Sequence, residues 1–82
     1  MDLELYTPAV YRIQVKGYLD KRWSDRLGGM DIQVSQCGGV QKATLVGRLP
    51  DQAALLGVLN TLYNLHLPLL SLELESSDVE ET

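Results

Sequence analysis

At 82 residues, 45 % of them apolar and none of them Phe, the chain is read as a single domain spanning 1–82. It is small enough that only about 60 % of its unfolded surface can be buried. One Cys and one His exclude a disulfide framework and the common Cys/His zinc sites, and no apolar run reaches the roughly 18 residues of a membrane span. The net charge of −4 is unevenly laid out: all seven Lys and Arg lie between Arg12 and Arg48 against three Asp, leaving that block at +4, whereas five acids crowd residues 73–82.

Residues 1–8 read as a loosely held arm ending at Pro8. Residues 10–19 alternate, with Tyr11, Ile13, Val15 and Gly17 on one side and Arg12, Gln14 and Lys16 on the other, the pattern of a half-buried strand. In residues 20–30, Trp23 and Leu27 stand four apart and share one turn of a short helix that Gly28 and Gly29 break. Alternation resumes over 31–36 with Ile32 and Val34 inward, turns at Cys37-Gly38-Gly39, and continues over 41–49 with Ala43, Leu45, Gly47 and Leu49 inward. A last strand over 69–75 points Leu70, Leu72 and Leu74 inward, and 76–82 reads as an acidic flexible tail beyond an ordered core of 9–75.

The longest element is a helix over 51–67. Asp51 is a natural N-cap, and Pro68 cannot continue the helix. At about 3.6 residues per turn, Leu55, Val58, Leu62 and Leu65 fall on one face with Ala54 and Leu59 beside them. A second apolar set, Leu56, Tyr63 and Leu67, widens that stripe. The far side carries Ala53, Gly57, Asn60, Thr61 and Asn64 and not one charge, where a solvated helix would carry Lys and Glu. The small side chains Ala53, Gly57 and Thr61 recur every fourth residue. Either nearby loops cover this side, or a partner does. Leu56, Gly57, Asn60 and Tyr63 are therefore candidate partner-binding residues, together with Trp23 and Arg26, residue types favoured at interface centres.

No catalytic, metal or cofactor constellation is read from the remaining residues. His66 falls at the helix end, where a structural role suffices. Cys37 lacks the second thiol or basic neighbour that would activate it. Lys21, Arg22, Trp23 and Arg26 mix cations with an aromatic, as a grip on single-stranded nucleic acid would, but the acidic balance of the chain speaks against that use. Gly28-Gly29 and Gly38-Gly39 match no phosphate loop. The lone thiol, and a Met1-Asp2-Leu3-Glu4 start without the basic residues of a signal peptide, point to the cytoplasm.

The run from Gly47 through Pro50, Asp51 and Leu59, and on to Leu69 through Glu73, resembles a segment of small bacterial proteins without an assigned function. It is also similar to the strand–loop–helix–strand of ACT-type regulatory domains. That resemblance implies an amino acid bound between paired subunits by a glycine-containing loop; here Gln52 and Ala53 stand where the glycine would be.

The expectation is thus an α+β domain: a four-stranded, mainly antiparallel sheet in the order β-β-β-α-β, ferredoxin-like with a short first helix, and one long helix on one face. The last strand returns parallel to an earlier one, and Glu73 and Glu75 find partners in Arg12 and Lys16 if it lies beside the first strand. The expected function is a non-enzymatic protein–protein interaction or regulatory module acting as a homodimer, with ACT-like sensing of an amino acid or nucleotide as the alternative.

Overall fold

The computed structural model describes residues 8–77; residues 1–7 of the arm expected over 1–8, and residues 78–82 of the tail expected over 76–82, lie outside them. Strands β1 (Ala9–Lys16), β2 (Asp31–Cys37), β3 (Val40–Leu49) and β4 (Leu69–Ser77) form one sheet. A 3₁₀ segment, Lys21–Leu27, joins β1 to β2, and helix α1, Gln52–Asn64, joins β3 to β4. The order across the sheet is β2-β3-β1-β4 with every neighbouring pair antiparallel. Both crossovers therefore return parallel to the strand they left with one strand between, the double split βαβ of a ferredoxin-like sheet. The first of its two helices is cut down to the 3₁₀ segment.

Alternation sets the inner face. Ala9, Tyr11, Ile13 and Val15 of β1 and Ala43, Leu45 and Leu49 of β3 are buried, and Leu55, Val58 and Leu62 of α1 pack over them. Gln52 Nε2 donates to the Tyr11 hydroxyl at 3.2 Å, anchoring the start of α1 over β1. Gly47 sits where β3 passes under Met30. A Cβ there would stand 2.9 Å from the Met30 Cα, so only glycine lets the two backbones approach. The β2–β3 turn is Gly38-Gly39, with φ of 58° and 80°, the left-handed pair that a two-residue hairpin with matching twist requires.

Three element ends and the type of the short helix differ from expectation. β1 stops at Lys16, not 19, because Gly17 turns away at φ 121°, although Leu19 still reaches the core. Trp23 and Leu27 share a 3₁₀ segment rather than an α turn. Asp20 caps its start by accepting from the Arg22 N–H, and Gly28 closes it in the left-handed conformation. Ser76 and Ser77, placed in the tail by the sequence, pair with Val10 and Ala9 as the end of β4. Helix α1 ends at Asn64, not 67. His66 adopts φ 62°, its N–H bonds Tyr63 O at 2.9 Å, and the Leu67 N–H bonds Leu62 O at 3.2 Å. That is a Schellman closure with histidine in the position glycine usually holds.

Candidate functional site

Apolar surface left uncovered is the most informative feature of the molecule. A helix with its side chains is about 10–12 Å across, and strands are spaced about 4.8 Å apart, so one helix shelters about two strands. Here α1 packs over the two central strands, close to β3 and reaching β1: Gln52 meets Tyr11 near one end, and Leu62 lines a cleft with Val15 near the other. The 3₁₀ segment packs on β2 and on α1 and delivers Leu27 to the core. Among the described residues nothing comparable lies over β4.

The register aligns Leu74 with Tyr11, Leu72 with Ile13 and Leu69 with Val15, so these leucines share the face that α1 covers elsewhere. Yet Leu69, Leu70, Leu72 and Leu74 keep 52, 48, 41 and 45 % of their surface exposed. The expectation that Leu70, Leu72 and Leu74 belong to the core is corrected accordingly. Alternation marks the correct face for Leu72 and Leu74, whereas at the Gln14/Val15 irregularity Leu69, not Leu70, stands opposite the inward Val15; among the described residues nothing roofs that face. Two irregularities, at Val10/Tyr11 and at Gln14/Val15, bracket a regular stretch of β4 over 71–74.

Between α1 and β4 runs an open cleft of about 350 Å³ lined by Val15, Leu59, Asn60, Tyr63, Pro68 and Leu69, among others. The sequence-derived candidates Asn60 and Tyr63 therefore border the same apolar trough as β4. Tyr63 is 79 % exposed, and Leu56, about two helical turns earlier on that stripe, is exposed as well. Gly57 is exposed on α1, and a Cβ placed on it would meet no atom within 4 Å. The loops that the sequence allowed as a cover for this side are absent among the described residues.

Trp23 and Arg26 lie apart from that trough, on the 3₁₀ segment. Trp23 is partly buried against the core, and the Arg26 guanidinium lies 5.4 Å from the centre of its ring. Arg22 Nη2 reaches Asp20 Oδ2 at 3.1 Å. The Arg22 side chain, and then its N–H, hold the Asp20 carboxyl below its ordinary value. One aromatic face and two cations of the Lys21–Arg26 cluster, Arg22 and Arg26, are thus engaged within the chain, which leaves little for stacking a base.

The outer face of the sheet is polar. Glu73 stands opposite Arg12, as the order of strands implied, but Glu75 falls at the Val10/Tyr11 irregularity and does not face Lys16, which lies at the other end of β1. Ser71 Oγ and Gln14 Oε1 are 3.3 Å apart, with the hydroxyl donating. Cys37 ends β2 next to the Gly38-Gly39 turn. His66 is exposed. Among the described residues no group of three or more His, Cys, Asp or Glu is placed to hold a metal ion, and no helix is long and apolar enough to cross a membrane.

The exposed leucines of β4 went unremarked as an interaction surface at the level of sequence. The signal that could have exposed them is the ratio of one 13-residue helix to four strands. The model of a protein family described as Domain of unknown function (DUF8691) matches residues 10–73, from the second residue of β1 to the middle of β4. No curated protein and no solved structure matches the chain.

Proposed function

We propose, for a chain that belongs to the DUF8691 family, a non-enzymatic protein–protein interaction or regulatory module that pairs with a second copy of itself in the cytoplasm. The observation supporting this reading is the run of four half-exposed leucines on β4 beside the apolar trough under Tyr63. A small monomer rarely leaves so contiguous a patch open without a partner for it. Pairing of copies is also the common remedy for a chain with so little core.

ACT-like sensing of an amino acid is less well supported. The trough lining named above offers Asn60 and the Tyr63 hydroxyl as its polar groups, with no charged side chain for an amino acid's ammonium and carboxylate. Sedimentation across a wide range of protein concentrations tests the pairing. The expected outcome is a mass rising from 9.1 kDa to twice that value with concentration. A strict monomer at the highest concentration reached would remove the proposal.

A further inference from the structure

We infer that the second copy docks edge to edge on β4, in antiparallel register with Leu72 on the two-fold axis. The inference deepens the self-pairing reading and rests on it. The backbone supplies the first argument. The Lys16 N–H donates to Pro68 O, at the start of β4, whereas the Gly17 N–H donates to Gln41 O of β3. Strand bonds alternate sides with each residue, so Arg12 and Gln14 address β4, and their partners Glu73 and Ser71 address β1 in return. The N–H and C=O of Leu72, lying between them, point away from β1 to the outer edge. β4 is the last strand of the sheet, and among the described residues nothing pairs with that edge. It carries none of the lysines or prolines that commonly block one.

The occupant follows from the sequence of β4 itself. A closed pair needs an isologous contact, and antiparallel partners must show the same face to each other. Only registers centred on a residue satisfy both conditions. Centring on Leu72 sets Leu72 against Leu72 and places each Glu73 opposite Ser71 of the other copy, all within the regular stretch of β4, with Leu74 facing the irregularity at Leu70. Centring on Glu73 would oppose the two Glu73 carboxylates at the closest cross-strand spacing, where like charges repel. Centring on Ser71 would leave Leu74 facing Pro68, which has no N–H to give and whose carbonyl is already taken by Lys16. Among these three registers, apolar pairing and charge avoidance favour the one on Leu72, in the regular stretch of β4. The resulting sheet of eight strands carries both α1 helices on one face, and the two troughs merge into a single apolar floor between them.

The test uses the full chain. In a dimer mixed from isotope-labelled and unlabelled copies, antiparallel pairing on Leu72 brings the Hα of Ser71 against the Hα of Glu73 in the other copy. An intermolecular contact between those two protons is expected in a filtered NOE spectrum. Leu72→Pro removes only an N–H that faces the outer edge, so it should keep the fold by circular dichroism while weakening self-association by about tenfold or more. Glu73→Pro, which removes a bond to β1, should damage the fold instead. A dimer that lacks the Ser71–Glu73 proton contact overturns the register and leaves the self-pairing reading standing. So does a well-folded Leu72→Pro protein that dimerises as tightly as the parent. A monomer at all concentrations overturns both. Should Leu72→Pro fail to fold, the proton contact in the unmodified dimer decides alone.

Discussion

Gly57→Ala separates the two apolar surfaces of the molecule. Gly57 sits in the middle of α1 with ordinary helical backbone, and a Cβ added there meets no atom within 4 Å. Alanine exceeds glycine in a helix interior by about 0.5–1 kcal/mol, because the unfolded chain loses less freedom on folding. No clash offsets that gain. For a domain of this length a gain of that size raises the melting temperature by roughly 2–8 °C. Urea unfolding, followed by circular dichroism at several protein concentrations, reads stability and association together. If Ala53, Gly57 and Thr61 were a groove that receives another backbone, the new methyl group would push the copies apart. Docking through β4 makes the dimerisation constant indifferent to the change while stability rises. A loss of stability would refute the open position assigned to Gly57. A weakened dimer at unchanged or higher stability would move the interface from β4 to α1.

Gly47→Ala should act in the opposite direction, costing about 1–3 kcal/mol in the same urea experiment, because its methyl would stand 2.9 Å from the Met30 Cα and the backbone must yield. His66→Gly should raise stability by about 0.5–1 kcal/mol: it relieves a left-handed residue at φ 62°, a strain of about 1–2 kcal/mol, less the extra entropy that glycine loses. Asp20 should titrate below its ordinary value of 3.8 when its carboxyl carbon is followed by NMR, since the Arg22 side chain and N–H donate to its ionised form. A depressed folded-state value means that this contribution is present above about pH 3.8 and lost as pH falls below it. Arg22→Ala should move the midpoint back up.

Much of the fold was legible because one physical period served each element. The twofold alternation of Tyr11, Ile13 and Val15, and of Ala43, Leu45 and Leu49, named the inner face of the two central strands, where every inward side chain is in fact covered. Asp51 was legible as a cap, and its Oδ1 does accept from the Ala54 N–H at 2.8 Å. The end of α1 was not. Pro68 looked like the stop, but the chain closes three residues earlier through His66, a residue type that enters the left-handed region without advertising it as glycine would. The 3₁₀ segment was obscured for a similar reason. A spacing of four between Trp23 and Leu27 fits an α turn, whereas Asp20 at one end and Gly28 at the other leave room for only seven residues.

Alternation says which way a side chain points and is silent about whether anything lies above it. Leu72 and Ile13 are cross-strand neighbours on one face, with the same chemistry and the same parity, yet one is 41 % exposed and the other 0 %. The difference comes from the crossovers. A double split βαβ normally lays two full helices side by side over four strands, and each shelters about two. Here the first crossover is a seven-residue 3₁₀ segment that fills the space over β2 and packs against α1. α1 packs over the central strands β3 and β1 and, among the described residues, leaves β4 at the edge without cover. The sequence placed the surplus apolar surface on the helix, where Leu56 and Tyr63 do carry part of it. The larger share sits on β4, the edge strand that α1 does not reach. In the proposed dimer two such strands meet edge to edge, and the apolar faces left bare above them join.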